Sequence, residues 1–260
     1  MTRIVAFLNQ KGGTAKTTST LNVAAALNEQ GRSVLAIDLD PQASLTMAMG
    51  VDIQRLELSI YDLLIDEEFP LSSVVTDSTV PGVKLLPSHP DLATAELALM
   101  NELERERRLD NLFLRTDLSR YDYVLIDSPP ALNILSVNIL VAANDLIIPI
   151  EPHPLSMMVL RRLFETIQKV RRLNPELRIL GFLPTKVHRG TRLSAEVLDT
   201  LREQYPDLPH LPAIPLSVKS AESTAERASV LQYMPRSPVA EAYREVGAWL
   251  EMTPVAVGSR

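Results

Sequence analysis

The sequence of 260 residues contains no cysteine. Disulfide bonds, thiolate metal sites, iron–sulfur clusters and cysteine nucleophiles are therefore excluded. Long apolar runs are also absent, since no stretch reaches the roughly 18 residues that a membrane-spanning helix needs. The opening MTRIVAFLNQ is too short in its apolar part for a signal peptide, and the closing EMTPVAVGSR forms neither a basic amphipathic helix nor a lipidation signal. We expect a cytoplasmic protein with no membrane partner.

Charge is unevenly distributed along the chain. The net charge is −6, yet residues 151–192 hold nine lysines and arginines against three glutamates. Such a basic segment is typical of a surface that binds nucleic acid, and equally of the solvated face of a helix. Charge alone leaves these two interpretations open.

Short runs rich in valine, isoleucine and leucine alternate with longer patterns of helical spacing. Buried parallel strands are predicted at residues 4–9, 33–38, 123–127, 146–150 and 179–185, with a weaker one at 83–88. Helices are predicted at residues 18–31, 91–115, 155–173 and 237–251. This alternation predicts an α/β fold, a doubly wound and mostly parallel sheet with helices on both faces. We expect one domain over residues 1–260, with a flexible tail from about residue 253.

The segment LNQKGGTAKTT has the position and composition of a phosphate-binding loop. It follows the first predicted strand and precedes the first predicted helix, where backbone N–H groups and a helix N-terminus face an anion. Gly12 and Gly13 allow the backbone to wrap closely around the ligand. Lys16 can neutralise phosphate charge, and the Thr17 hydroxyl can bind Mg²⁺.

This loop departs from the standard pattern G-x-x-x-x-G-K-[ST] at two positions. Gln10 and Ala15 stand where the pattern has glycine, and Lys11 is an additional lysine. We expect the methyl group of Ala15 to be tolerated if its φ is negative, as at the start of a helix.

Two further segments place aspartates at the ends of predicted strands, LAIDLDPQAS and YDYVLIDSPP. In open α/β sheets, ligands bind at the carboxyl ends of the strands. Of Asp38 and Asp40, one carboxylate is suited to the water shell of a metal and the other to orienting an attacking water. Asp127 suits the Walker B role of binding Mg²⁺ directly or through water. Each aspartate alone is explained equally well by local turn hydrogen bonds, but the neighbouring phosphate loop favours the functional interpretation.

The motifs KGGTAKTT, DLDPQA and YVLIDSPP, in this order, resemble those of the deviant Walker A ATPases. The resemblance is strongest to ParA-type partition ATPases in their short form, without an N-terminal helix-turn-helix domain. It implies a P-loop NTPase fold and a slow, Mg²⁺-dependent hydrolysis of ATP to ADP. It also implies a sandwich homodimer in the ATP state, nonspecific binding to DNA and a nucleoid-associated location. A ParB-like partner would stimulate hydrolysis and so drive partition of a plasmid or chromosome.

The resemblance also implies a role for each matching residue. Lys11 would be the signature lysine, which reaches the nucleotide of the partner subunit. Lys16 would contact the β- and γ-phosphates, and Asp40 would position the hydrolytic water. Thr17 would bind Mg²⁺ directly, Asp127 through water, and Asp38 would support the metal shell. The implied nucleotide-binding residues are Lys11, Gly12, Gly13, Thr14, Ala15, Lys16, Thr17, Thr18 and Pro215.

Nonspecific DNA binding in the resembled family uses basic residues of the C-terminal half. The matching candidates here are Lys186, Arg189, Arg192 and Lys219. Relatives often carry two arginines where this chain has Leu216 and Lys219, so only one of those two positions keeps its charge.

Three alternatives stay open beside the partition ATPase. The first is a MinD-like membrane ATPase that positions cell-division proteins, which the closing EMTPVAVGSR does not favour. The second has the same ATPase cycle and positions a protein cargo. The third is a nucleotide-dependent scaffold without hydrolysis, which Asp40 and Lys11 oppose because both residues would be unnecessary.

Overall fold

The computed structural model describes residues 2–188 and 190–255 and contains a central seven-stranded sheet. Its strands are β1 Arg3–Phe7, β2 Val34–Asp38, β3 Thr76–Asp77, β4 Val83–Leu86, β5 Tyr123–Asp127, β6 Asp145–Ile150 and β7 Arg178–Pro184. Their order across the sheet is β3-β4-β2-β5-β1-β6-β7. Only the edge pair β3 and β4 is antiparallel among these pairings. The predicted doubly wound, mostly parallel sheet is confirmed.

Helices connect the strands and cover both faces of the sheet. They are α1 Lys16–Glu29, α2 Ser44–Ala48, α3 Ile60–Ile65, α4 Ala95–Ala98, α5 Arg108–Leu114, α6 Ile134–Ala142, α7 Pro154–Val170, α8 Arg192–Gln204, α9 Val218–Ala225, α10 Val230–Tyr233 and α11 Pro238–Met252. Within the described part of the chain, no helix is both long and apolar enough to cross a membrane.

The strand β1 shows how the sheet is buried on both faces. Ile4 and Ala6 belong to one apolar cluster, which includes residues of α3, α5, α6 and α7. Val5 and Phe7 belong to a second cluster, formed largely by α1 and α11. Because both faces are covered, a central parallel strand is apolar at every position, and this explains why these strands were recognisable in the sequence.

The long helix predicted over residues 91–115 is wrong. The segment instead contains two short helices, α4 and α5, separated and preceded by 3₁₀ turns. Glu104 lies between them with φ 53°, a left-handed conformation that cannot continue a right-handed helix. Leu103 next to it is 88% exposed, so the apolar pattern does not correspond to one buried face. The two-residue strand β3 was also not predicted, since it is too short to show a period.

A charge cluster around the buried Asp145 fixes residues 253 and 254 to the sheet. Asp145 accepts hydrogen bonds from Arg3 at 2.7 Å and from Arg178 at 2.8 Å. Arg3 in turn donates to the carbonyl of Thr253 at 2.9 Å, and Arg178 donates to that of Pro254 at 3.0 Å. The flexible tail expected from about residue 253 therefore begins with two anchored carbonyls, and residues 256–260 lie outside the described residues.

Candidate functional site

The loop that joins β1 to α1 is held in place by the two strands beside it. The Asn9 side chain donates to the Pro149 carbonyl at 2.7 Å and accepts from the Lys11 amide at 3.0 Å. The Thr185 hydroxyl, directly after β7, donates to the Thr14 carbonyl at 3.0 Å. These contacts fix the loop at the start of α1, where backbone N–H groups face an anionic ligand.

Ala15 adopts a left-handed backbone conformation immediately before α1, with φ 59° and ψ 34°. The condition under which the methyl group of Ala15 was expected to be tolerated, a negative φ, is therefore not met. The chain turns sharply here to enter the helix, and a left-handed turn is the conformation that glycine adopts without strain. An alanine in this conformation costs about 1–2 kcal/mol relative to a right-handed one. This explains why the standard pattern has glycine at this position. In this chain, the alanine that replaces it makes the loop locally strained.

Asp38 lies at the end of β2 and is completely buried. Thr46 donates to one of its carboxylate oxygens through both its amide, at 2.8 Å, and its hydroxyl, at 2.7 Å. The Asp40 amide donates to the other oxygen at 3.1 Å. Burial nevertheless raises the pKa of Asp38 to about 6, because these hydrogen bonds compensate only part of the lost hydration.

Asp127 lies at the end of β5 and is also completely buried. Burial and the neighbouring Asp38 raise its pKa well above the ordinary value, and the nearby Thr17 hydroxyl acts in the opposite direction. One oxygen accepts from the Ser128 amide at 3.0 Å. The other, Oδ2, has no hydrogen-bond partner of regular geometry among the described residues. A buried carboxylate oxygen without a partner, close to a threonine hydroxyl, is a donor set that fits Mg²⁺.

The aspartates do not form a complete metal site by themselves. Across residues 2–188 and 190–255, no group of three or more His, Asp or Glu side chains is arranged to hold a metal ion. Mg²⁺ in phosphate-binding sites takes one or two protein oxygens and completes its shell with water and phosphate oxygens. The arrangement around Thr17 and Asp127 is therefore suited to a metal that arrives with a phosphate ligand.

Lys16 begins α1 and is buried among these carboxylates. Burial lowers its pKa, whereas the charges of Asp127 and Asp40 raise it. Its ammonium lies 3.5 Å from the Lys11 carbonyl, directly under the loop. Burial also raises the pKa of Asp40. The backbone amide of Gln42, which donates to Asp40 at 3.0 Å, lowers that pKa in part.

Lys11 points away from the acidic cluster. Its ammonium lies 3.4 Å from the Ser156 hydroxyl and 3.9 Å from a Glu151 carboxylate oxygen, at the start of α7. The Lys11 side chain remains 25% exposed. Lys11 is thus a cation at the rim of the loop, paired with the neighbouring strand–helix junction.

Two adjacent cavities open beside the loop. The first, of about 370 Å³, is lined by residues 12–18 together with Asp40, Ser44 and Pro130. The second, of about 570 Å³, is lined by apolar residues that include Ile214 and Pro215. Both cavities share the residues Ala15, Thr18, Lys186 and Thr224. A polar cavity continuous with an apolar one suits an elongated ligand that has an anionic end and a flat apolar end.

Of the four basic residues predicted for DNA binding, three lie in the described part of the chain. Lys186 is half-buried and lines both cavities beside the loop. It reaches them because it follows β7, whose carboxyl end lies on the same side of the sheet as the carboxyl end of β1. Arg192 is 93% exposed and pairs with Glu196 at 2.7 Å. Lys219 pairs with a glutamate of α9, also at 2.7 Å. Arg189 lies outside the described residues.

Several residues around the site were not singled out from the sequence. Asn9 was part of the loop segment, and its position two residues before Lys11 is a recognisable turn signal. Ser156 and Thr185 are distant along the chain from their partners Lys11 and Thr14, and the packing of the sheet brings them to the loop. Thr46 lies eight residues after its partner Asp38, and no local pattern indicates that contact.

Comparison with known proteins assigns the chain to a family. A family model described as an AAA domain, AAA_31, matches residues 2–179. The chromosome-partitioning ATPase Soj of Thermus thermophilus is 38% identical over 94% of this chain and 93% of its own length. The chromosome partitioning protein ParA of Caulobacter vibrioides is 34% identical, over 93% of this chain and 91% of its own. The chain belongs to the ParA/Soj family of ATPases.

A solved structure shares the fold of this ParA/Soj chain. The structure of cobyrinic acid a,c-diamide synthase from Mycobacterium smegmatis with bound ADP and magnesium superposes with a TM-score of 0.85 and 37% identity. The match covers 96% of this chain and 94% of that one. The predicted resemblance and the predicted P-loop fold of this ParA/Soj chain are therefore confirmed, while the roles of individual residues stay predictions.

Proposed function

We propose that this ParA/Soj-family chain is a Mg²⁺-dependent ATPase that hydrolyses ATP slowly and positions a DNA cargo. The observation that carries the proposal is that Lys16 and Asp40 line one phosphate-loop cavity, while the buried Asp127 lies close enough to Lys16 to raise the pKa of its ammonium. A relative in structure, at 37% identity, contains ADP and magnesium, which supports these ligands here. Lysine, threonine and buried carboxylates in this arrangement suit phosphoryl transfer, where catalysis is chiefly positioning and charge stabilisation.

Each residue then has a defined task toward MgATP. The Lys16 ammonium and the loop amides bind the β- and γ-phosphates. Thr17 and Asp127 hold Mg²⁺, Asp127 through water, and Asp38 orients that water shell. Mg²⁺, when bound, neutralises charge that develops on the transferred phosphoryl group. Asp40, which lines the phosphate cavity, accepts a hydrogen bond from the attacking water and aligns it.

Lys11 completes the site of a second copy of the chain. The direction of its side chain, toward Ser156 and Glu151 and away from its own aspartates, supports an action in trans. In a face-to-face homodimer this lysine meets the nucleotide of the partner and stabilises transition-state charge, as an arginine finger does. A site that lacks this group as a monomer is expected to turn over slowly until dimerisation and a ParB-like partner complete it.

DNA binding belongs to the dimer in this proposal. The names of the Thermus and Caulobacter relatives support a role in chromosome partition. Basic residues such as Arg192 and Lys219 contact phosphates without reading sequence, and dimerisation doubles their number. Their present glutamate partners are exposed and exchangeable, since surface ion pairs contribute little stability. The protein is thus proposed to be cytoplasmic and associated with the nucleoid.

The test is binding to a DNA fragment of arbitrary sequence with ATP, with ADP and without nucleotide. The proposal predicts tight binding with ATP only, and an affinity that falls steeply with salt because counterions are released. The double variant Arg192→Glu with Lys219→Glu should lose DNA binding and keep its ATP affinity. Equal DNA affinity in all three nucleotide states would contradict the proposal. ATP-dependent binding to lipid vesicles with no binding to DNA would favour the membrane alternative.

A further inference from the structure

Lys186 is held rigidly at the junction of the two cavities. The residue before it, Thr185, donates through its hydroxyl to the Thr14 carbonyl of the phosphate loop at 3.0 Å. The residue after it, Val187, exchanges backbone hydrogen bonds with the segment that contains Pro215: its amide donates to Ile214, and its carbonyl accepts from Leu216, both at 3.0 Å. Lys186 is therefore fixed from the phosphate side and from the apolar side.

The backbone of Lys186 is strained. Its φ is 52°, in the left-handed region that a residue with a side chain seldom adopts. Strained backbone conformations of this kind are concentrated at functional sites. The strained turn lets the lysine side chain reach back over the loop instead of continuing outward from β7.

The ammonium group of Lys186 lies above the phosphate loop. It is 3.9 Å from the position that a Cβ on Gly13 would occupy. No Asp or Glu of residues 2–188 and 190–255 forms an ion pair with it within 4.0 Å. Among the four residues that line both cavities, it is the one that carries a charge. A half-buried cation without an anionic partner, facing a cradle of backbone amides, is arranged for an anionic ligand.

We infer that Lys186 is a third cationic ligand of the nucleotide, at the junction between its sugar and its phosphates. The inference rests on the proposed nucleotide site and adds a residue to it. Lys16 lies beside the aspartates and binds the β- and γ-phosphates. Lys186 lies next to the apolar cavity and binds the opposite end of the phosphate chain. Its ligand is thus the α-phosphate and ribose edge, which ATP and ADP share. The role of Lys186 is affinity for both nucleotides, in place of the DNA contact expected from the sequence.

Lys186→Met tests this inference, because methionine keeps the length of the side chain and removes its charge. Loss of one charge-assisted contact should weaken MgATP and MgADP alike by roughly tenfold or more. Lys186→Arg should retain most of the affinity. Lys169→Met, on the exposed face of α7, is the matched control and should bind both nucleotides as the wild type does. Affinities are measured by titration of fluorescent ATP and ADP analogues, on variants whose nucleotide-free melting temperatures match that of the wild type.

The outcomes separate this inference from the proposed function. If wild-type protein binds neither nucleotide, the proposed function itself fails. If the wild type binds both and Lys186→Met binds them equally well, the inference about Lys186 is wrong. A loss confined to ATP would place the lysine at the γ-phosphate and overturn the assignment to the α-phosphate edge. Unchanged nucleotide affinity with lost DNA binding at saturating ATP would return Lys186 to the DNA surface. Lys186→Gln provides a second neutral variant if the methionine variant melts early.

Discussion

Asp38 and Asp127 are register partners at the ends of β2 and β5, and both carboxylates are completely buried. The two acids are supported unequally. Thr46 and the Asp40 amide satisfy Asp38, whereas Oδ2 of Asp127 lacks a regular partner among the described residues. Burial raises the pKa of both carboxylates, and repulsion from Asp38 raises that of Asp127 further, whereas the positive charge of the nearby Lys16 lowers it. A further cation at this position, such as Mg²⁺, would favour the ionised form of both acids.

The first prediction concerns pH and stability without Mg²⁺ or nucleotide. The pKa of Asp38 is about 6 in the folded chain and 3.8 in an ordinary environment. Between these values the folded state keeps a proton that the unfolded state has released, so a rise in pH through this window reduces the free energy of unfolding. Asp38→Asn lacks this titration. Its stability relative to wild type should rise by roughly 3 kcal/mol in total from about pH 3 to about pH 7, and stay level above.

Denaturant unfolding at several pH values measures this difference. Asp122 is a control of opposite sign, since hydrogen bonds from Ser33 lower the pKa of that exposed carboxylate. Asp122→Asn should therefore lose stability relative to wild type as pH rises through the ordinary range of aspartate. Parallel pH profiles for Asp38→Asn and wild type would show that Asp38 is not buried as a titrating acid.

The second prediction separates hydrolysis from binding. Asp40→Ala should bind MgATP and dimerise but hydrolyse ATP at least about a hundredfold more slowly, because a positioned base contributes about that much. ADP release, nucleotide titration and light scattering give the three readouts. Gln42 offers a matched control because its backbone amide donates to Asp40. Gln42→Ala keeps this backbone amide and should hydrolyse ATP normally. Loss of dimerisation in Asp40→Ala would refute the role assigned to the carboxylate.

The third prediction tests the action of Lys11 in trans. Lys11→Ala and Asp40→Ala should each be inactive alone. In a mixed dimer, the Lys11→Ala subunit keeps its own Asp40 and receives Lys11 from the other subunit, so one site is complete. Random pairing places half of the dimers in this mixed form, and about a quarter of the wild-type activity should return. An equimolar mixture that stays inactive would mean that Lys11 does not act across the interface.

The fourth prediction concerns strain in the phosphate loop. Ala15→Gly removes the strain of the left-handed backbone, whereas the greater conformational freedom of glycine in the unfolded chain offsets part of this gain. The free energy of unfolding should therefore rise by up to about 1 kcal/mol. Ala15→Val should lower it by about 1–3 kcal/mol, because a branched side chain is strongly disfavoured at positive φ. Ala24→Gly, in the interior of α1, is the opposite control and should be destabilising. A destabilised Ala15→Gly would contradict the account of this turn.

The sequence allowed the sheet and the core of the site to be predicted for a physical reason. Buried parallel strands are continuous apolar runs, and Asp38, Asp40 and Asp127 follow such runs directly. The strand 123–127 was even predicted with its observed bounds. Features that depend on particular backbone angles could not be predicted from the sequence. The φ of Ala15 and the break at Glu104 are set by how the chain must turn, and neither has a local composition signal.

The contacts that refine the site come from distant parts of the chain. Thr185 and Lys186 lie some 170 residues after the loop they touch. The family resemblance identified Lys186 as a candidate DNA contact. The structure brings it to the loop because β1, β6 and β7 are parallel neighbours whose carboxyl ends lie on the same side of the sheet. For the same reason, the sequence does not predict the contact of Lys11 with Ser156, which depends on where the fold positions the start of α7.

The central claim is that this chain forms a MgATP hydrolysis site that a second copy completes. The most direct test is the rate of ADP production per chain, at saturating MgATP, over a wide range of protein concentration. A site completed in trans predicts that the rate per chain rises with concentration and then levels off when all chains are dimeric. A rate per chain that is the same at every concentration, or no ADP production at all, would contradict the claim.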